Sequence, residues 1–279
     1  MILHGVVVLY NPNEYILENI KTYIDQIEIL YLIDNSDKKN NKLIDKIKNI
    51  SQKCKYIDNG VNKGIAYALN LAAKQGIENK ADWLLTMDQD SRFKENDLTN
   101  LIKFIIENDT KNIGIISPFH GNTELNMNFD EDKITMTSGN LLNLDVFNKV
   151  GIFLEKLFID SVDTEYCLRL YEKGYYIKRI SSVLLNHNLG EIKSYELLGK
   201  KYLSTNHAAI RRYYIMRNRL YIWNKYKDVL PSFIKKDKKD SIKEIIKIIL
   251  FEDNKVSKIL YTLKGYVDYK RNKFGKINE

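Results

Sequence analysis

Short apolar runs alternate with helix-period stretches through the first two thirds of the chain. Residues 6–9 predict a strand buried on both faces; residues 13–24 follow, with Ile16, Leu17, Ile20 and Ile24 at helical spacing. The same couplet recurs at 29–33 and 43–50, at 55–57 and 65–75 (a helix closed by Gly76), and at 83–87 and 98–106. A fifth apolar run, 113–117, stops at Pro118. Strands alternating with helices of this length predict an α/β fold, a mostly parallel central sheet with helices on both faces. Residues 119–133 are rich in Gly, Asn and Asp and predict a loop. Beyond it the pattern predicts a strand over 134–144, a short helix and turn over 147–153, a helix over 163–173 ended by Gly174, and an extended run over 175–185. After Gly190 the chain reads as wholly helical.

That last part carries two apolar stripes. Ile242, Ile245, Ile246, Ile249 and Leu250 keep one helical face, and Val256, Ile259, Leu260, Leu263 and Val267 repeat the scheme. Charge sets this region apart. Residues 1–191 hold 22 Lys and Arg against 27 Asp and Glu, a net of −5, whereas residues 192–279 hold 22 against 9, a net of +13. The charge suggests a catalytic body with a basic, amphipathic helical tail, the two expected over 1–225 and 226–279. The stripes either pack on that body or lie on an anionic membrane surface. Because the positive charge is segregated and no base-reading motif is present, nucleic acid is not the expected partner.

The 279 residues, 44% hydrophobic and 29% charged, suit one large globular domain with an appendage. Cys54 and Cys167 have neither metal-binding spacing nor a disulfide framework, so a reducing compartment is expected. The opening apolar run is too short to span a membrane and has no basic leader or cleavage site. A cytoplasmic protein, peripheral at the inner face of the membrane, is the resulting expectation.

Each early strand ends in polar residues: Tyr10-Asn11-Pro12, Asp34-Asn35-Ser36-Asp37, Asn59 through Ala66, and Asp88-Gln89-Asp90-Ser91. A parallel sheet brings all four to one edge, where ligands bind in open α/β folds. Asp88 and Asp90 would project to the same face if strand geometry persists, and two such acids need a cation or hydroxyl donor between them. The alternative for them is a solvated turn. No G-x-G-x-x-G follows the first strand and no phosphate-binding G-x-x-x-x-G-K-[ST] occurs, which disfavours NAD and excludes an ATP P-loop. Asn62-Lys63-Gly64-Ile65-Ala66 opens a helix, where free N–H groups admit a ligand or an ordinary cap forms. Asp163-Thr164-Glu165 opens another; an acid here either caps the helix or serves as a general base, and Glu165 can pair with Arg169. His187, between two Asn, is a lone histidine or a metal ligand.

In order and spacing, these segments resemble the family 2 glycosyltransferases of the GT-A fold, most closely the bacterial rhamnosyltransferase subgroup, over roughly residues 3–225. The motifs that carry the resemblance are 7–12 (VVLYNP), 33–36 (IDNS), 62–70 (NKGIAYALN), 87–91 (MDQDS), 137–140 (TSGN), 158–169 (FIDSVDTEYCLR) and 212–218 (RYYIMRN). The resemblance implies that Tyr10 and Asp34 frame a nucleobase and that Asn62, Gly64 and Ala66 lie along the nucleotide. It adds Gln89, Ser138 and Gly139 to the nucleotide-sugar site. Asp88 would meet the ribose or the metal, and Asp90 would hold Mg²⁺ or Mn²⁺ on the diphosphate, with His187 as a further ligand. Asp163 matches the general base. Val162 stands where the family commonly has Glu, and Asp160 and Glu165 remain alternatives. The implied reaction is inverting transfer of L-rhamnose from dTDP-rhamnose to a growing cell-surface polysaccharide or lipid-linked saccharide. A UDP- or GDP-sugar donor, or an inactive nucleotide-sugar-binding scaffold, is the alternative.

Overall fold

Strands β1 (Leu3–Leu9), β2 (Ile29–Asp34), β3 (Cys54–Asp58) and β4 (Trp83–Asp88) run parallel in the order β3-β2-β1-β4. This is a computed structural model, and it describes residues 1–120, 133–187, 193–197 and 200–277. A two-residue strand β5 (Ser91–Arg92) follows β4; β6 (Ile113–Phe119), β7 (Asn140–Asn143) and β8 (Tyr176–Leu184) complete a seven-stranded sheet, β3-β2-β1-β4-β7-β6-β8. Only β7 runs antiparallel to its neighbours, so the sheet is mostly parallel, as expected.

The strands bury both faces by alternation. Leu30, Leu32, Leu85 and Met87 enter one core with Ile16 and Ile20 of α1 (Tyr15–Lys21), Leu43 and Ile47 of α2 (Asn41–Lys48), and Leu98 and Leu101 of α4 (Asp97–Glu107). Tyr31, Ile33 and Leu84 enter the opposite core with Leu69 and Ala73 of α3 (Ile65–Glu78), Phe147 of α5 (Leu144–Val150) and Tyr166 of α6 (Val162–Glu172). Period-two strands feeding helices on both sides require this layering.

Three local readings are corrected. The strand expected over 134–144 is regular only at Asn140–Asn143. Before it the chain crosses the end of β4: Gly139, at φ +78°, donates its N–H to Thr86 O at 2.7 Å, and Thr86 Oγ1 donates to Thr137 O at 2.5 Å. Helix α3 does not stop at Gly76 but runs on to Glu78; the glycine lets the helix pack closely, since a Cβ there would sit 3.0 Å from Leu144 Cδ1. The chain after Gly190 is not wholly helical, since β10 (Lys193–Leu197) and β11 (Lys200–Ser204) pair as an antiparallel hairpin with Tyr195 opposite Tyr202. Tyr195 stacks on Phe251, ring centroids 5.3 Å apart. Most of the loop expected over 119–133 lies outside the described residues.

Three long helices end the fold: α7 (Ala209–Lys225), α8 (Pro231–Leu250) and α9 (Lys255–Lys270). Helix α9 lies so close along α7 that a Cβ on Gly265 would come within 2.4 Å of Tyr213 O. Tyr213 OH donates to Asp268 at 3.0 Å, and Ile277 N–H donates to Tyr214 OH at 2.9 Å. Helices α7 and α8 reach the main core through Ile222 and Ile234, while the remaining buried positions of α8 and α9 are mostly small or polar: Ser241, Lys258, Thr262 and Gly265, with Ile248. Much of each stripe faces outward instead: Ile242, Ile246, Ile249, Leu250, Val256, Leu260, Leu263 and Val267 are exposed, Val256 at 74%. No helix among the described residues is long and apolar enough to cross a membrane.

Candidate active site

The carboxyl ends of β1 to β4 converge with the start of α3 and α6. Their side chains are fixed chiefly by bonds to neighbouring loops. Asp34 is buried at the end of β2; Tyr56 OH donates to its Oδ2 at 2.7 Å and Ser36 N–H to its Oδ1 at 2.8 Å. Half-exposed Tyr10 follows β1, its hydroxyl donating to Asp37 at 3.2 Å. Burial and the Asp37 carboxylate raise the Tyr10 phenol above its ordinary value.

Asn35, adjacent to Asp34 in the expected motif, organises the third loop. Its Nδ2 donates to Gly64 O at 3.1 Å, and its Oδ1 accepts from Asn59 Nδ2 at 2.9 Å. Asn62 Oδ1 in turn accepts from Gly64 N–H at 2.9 Å, closing a turn onto α3. Gly64 is required twice over. Its φ of +87° suits glycine, and a Cβ would sit 2.5 Å from Phe158 O. Ile65 N–H donates to that same carbonyl at 3.0 Å, and Ala66 packs fully buried behind it.

Strand geometry ends at Asp88. Gln89 and Asp90 form a turn, so the alternation expected to align Asp88 with Asp90 does not extend through them. Gln89 turns toward β1, its Oε1 accepting from Tyr10 N–H at 2.9 Å and its Nε2 donating to Tyr10 O at 3.1 Å. Ser138, buried beneath this edge, accepts the Asp88 N–H on its Oγ at 3.0 Å. Gly139 admits no side chain, since a Cβ would lie 2.8 Å from Leu185 and 2.9 Å from Pro118. Ser138 and Gly139 thus brace the backbone that carries Asp88. Asp90 is exposed, and the two-residue strand β9 (Asn186–His187) pairs His187 with Ser91, the next residue. The His187 side chain lies outside what the structure describes.

Three acids gather at the start of α6, and their surroundings separate them. Glu165 is fully buried and held by Arg169 Nη2 at 2.8 Å, Lys225 Nζ at 3.2 Å and Tyr226 OH at 2.5 Å. Asp160 is forked by Arg211, with Nε 3.1 Å and Nη2 3.0 Å from Oδ1. Asp163 accepts only from Thr164, the N–H at 2.7 Å and the hydroxyl at 3.4 Å, and has no ion-pair partner among the described residues. Burial, then the negative charge of Asp160, raise the Asp163 carboxyl above the usual range. Arg211 lies close enough to feel the fields of Asp160, Asp163 and Asp88.

The segment entering α6 is unusual in its backbone. Phe158, Asp160 and Ser161 have φ of +66°, +62° and +61°. Buried Asn218 of α7 points its Nδ2 at Leu157 O, Ile159 O and Asp160 O, 3.0, 2.8 and 2.8 Å away. Arg217 donates to Leu157 O at 3.0 Å and to Gly275 O at 2.7 Å. The sequence displayed this pair within 212–218 but gave it no role, because its partners are backbone carbonyls some sixty residues away.

A family model described as glycosyl transferase family 2 matches residues 6–158, more than half of the chain. The dTDP-rhamnosyl transferase RfbF of Shigella flexneri is 27% identical over 288 residues, covering 96% of this chain and 91% of that protein. A crystal structure of S. aureus TarS 1-349 superposes with a TM-score of 0.60 at 17% identity, over 96% of this chain and 81% of that one. Another TarS crystal structure gives 0.55 at 17% identity over 80% of this chain, which spans only 40% of its length.

Proposed function

This chain belongs to glycosyl transferase family 2, and from that membership we propose that it transfers L-rhamnose from dTDP-rhamnose to a saccharide or lipid-linked saccharide acceptor, with Asp163 as general base. The carrying observation is the separation of the three acids. Arg211 occupies Asp160, Arg169 and Lys225 occupy buried Glu165, and Asp163 is the one of the three without a cationic partner among the described residues. A carboxylate whose proton affinity is raised by burial is suited to take the acceptor hydroxyl proton as the oxygen attacks the anomeric carbon. That single displacement breaks the bond between the anomeric carbon and the diphosphate oxygen, releases dTDP, inverts the anomeric centre and leaves the proton on Asp163.

In this reading Tyr10 and Asp34 frame the base, Asn62, Gly64 and Ala66 lie along the nucleotide, and Ser138 and Gly139 set the height of Asp88. The donor set fits Mg²⁺ or Mn²⁺. Asp88 and Asp90 supply oxygen, and no cluster of three ligating side chains exists among the described residues. Two carboxylates suit a cation that takes its remaining ligands from a diphosphate and water, with His187 as a further candidate. Such a cation, when bound, neutralises charge on the departing nucleoside diphosphate.

In the same reading residues 1–225 are the catalytic domain and 226–279 a helical extension. It assigns the exposed apolar face of α8 and α9, set in a region of net charge +13, to the anionic surface of the cytoplasmic membrane. Release of dTDP from dTDP-rhamnose with Mn²⁺ tests the chemistry. Asp163→Asn should lose at least 100-fold in turnover while binding dTDP normally. Retained turnover would remove Asp163 as base, and thermal protection by UDP-sugars but not by dTDP-rhamnose would remove the rhamnose assignment.

A further inference from the structure

We infer that Asn218, seconded by Arg217 and Arg211, is the positioning residue of the catalytic carboxylate, holding the 157–161 segment in a conformation it would not otherwise keep. The inference rests on the assignment of Asp163 as base. Three residues with side chains, Phe158, Asp160 and Ser161, occupy positive φ within four positions, immediately before α6. L-residues leave such conformations unless surrounding contacts over-determine them.

The over-determination is visible on one helix. Asn218 is fully buried, and its amide nitrogen sits within 3.0 Å of the carbonyl oxygens of Leu157, Ile159 and Asp160. Its Oδ1 accepts from Arg217 Nε at 3.0 Å, which fixes the amide plane and aims the nitrogen at the loop. Arg217, equally buried, adds a bond to Leu157 O. About two turns earlier on α7, Arg211 forks Asp160 from the solvent side. The backbone and the one acid of this segment are therefore tied to α7 at Leu157, Ile159 and Asp160, six, four and three residues ahead of Asp163.

The far side of the same segment touches the nucleotide loop. Phe158 O accepts Ile65 N–H at 3.0 Å, and only a glycine at 64 fits beneath it. Asn218 thus fixes the base relative to the α3 loop where the donor is proposed to lie. A side chain that merely filled space would need no amide nitrogen directed at three carbonyls.

Asn218→Asp tests this with almost no change of shape, turning the nitrogen into an oxygen facing those carbonyls. Turnover of dTDP-rhamnose to dTDP with Mn²⁺ should fall 100-fold or more, with donor KM and dTDP affinity within about 3-fold of the parent. The acidic limb of the turnover–pH profile should also shift, because the solvation of Asp163 and its distance from Asp160 both change when the loop moves. Because Asn218→Asp puts a carboxylate at a fully buried position, Arg211→Ala at a surface position provides a second reading. It should lose about 10-fold in turnover at unchanged dTDP affinity, with partial recovery in Arg211→Lys. Unaltered turnover and pH profile in folded Asn218→Asp, or in Arg211→Ala, would overturn the inference. A loss matched by the fraction of inactive protein, with the pH profile unmoved, would overturn it as well. Asp163→Asn run alongside keeps the two ideas apart. If it is inactive while the α7 variants are normal, only the positioning role fails; if it stays active, the base assignment fails.

Discussion

Replacing Glu165 by Gln separates a structural acid from a chemical one two residues away. Glu165 is fully buried and accepts from Arg169, Lys225 and Tyr226. Gln keeps an oxygen for Tyr226 and removes the charge facing Arg169, whose side chain is only 10% exposed. Breaking a buried pair from one side costs about 3–5 kcal/mol, because the remaining charge stays desolvated. Arg169 retains its bonds to Ile152 O at 2.8 Å and Val150 O at 3.3 Å, and Lys225, a third exposed, can turn to water. The lower end, about 3 kcal/mol, is therefore expected, a fall in Tm of about 6–10 °C for a chain of this size. Calorimetry measures the loss, and dTDP release from dTDP-rhamnose below the transition measures turnover per folded molecule. Turnover should stay within about 3-fold of the parent. An unchanged Tm would refute the energetic reasoning; a normal Tm with abolished turnover would make Glu165 the base.

The raised Asp163 carboxyl sets a pH dependence: the base works deprotonated, so turnover should decline on acidification from a pH above the ordinary carboxylate value of about 4. Stability should respond oppositely, since the folded chain binds this proton more tightly than the unfolded chain, and the site's contribution is lost as pH rises through its folded pKa. An acidic limb at or below pH 4 would contradict the shift. Gly64→Ala should weaken dTDP binding by about 10-fold or more, through a strained φ worth about 1–3 kcal/mol and a clash with Phe158 O, as read by titration calorimetry; normal affinity would show that the loop yields freely. Ile246→Glu with Leu260→Glu should reduce sedimentation with anionic liposomes several-fold at unchanged Tm, both positions being about half exposed. A lowered Tm with undiminished liposome binding would instead assign these side chains to packing.

The layering was legible because both cores are written in a period-two code: Leu30 and Leu32 face one way, Tyr31 and Ile33 the other. Strand ends were legible for the same reason, and the family model fits that part of the chain. Where the chain leaves regular geometry, periodicity stops carrying information. Asp88 and Asp90 look like neighbours on one strand face, yet the turn at Gln89 and Asp90 breaks that relation. Ile134 and Met136 suggest a strand through 134–139, but the bonds of this stretch go to Thr86 and Asp88 near the end of β4 and to Ser117 of β6. The C-terminal stripes were visible as stripes, but their direction was not. Spacing defines a face without saying what covers it, and here Gly265 and Thr262 turn inward while Leu260 and Leu263 turn out. The positive φ values before α6 lie furthest from sequence logic. Phe, Asp and Ser do not announce a left-handed backbone in the way Gly64 does, and the contacts that enforce it come from α7, some sixty residues later. Residue types alone left three acids as alternatives at α6. What separates them is which of them meets a cation: Arg169 and Lys225 reach Glu165, Arg211 reaches Asp160, and none reaches Asp163 among the described residues, with Arg211 and Lys225 standing on a helix the first half of the chain could not foresee.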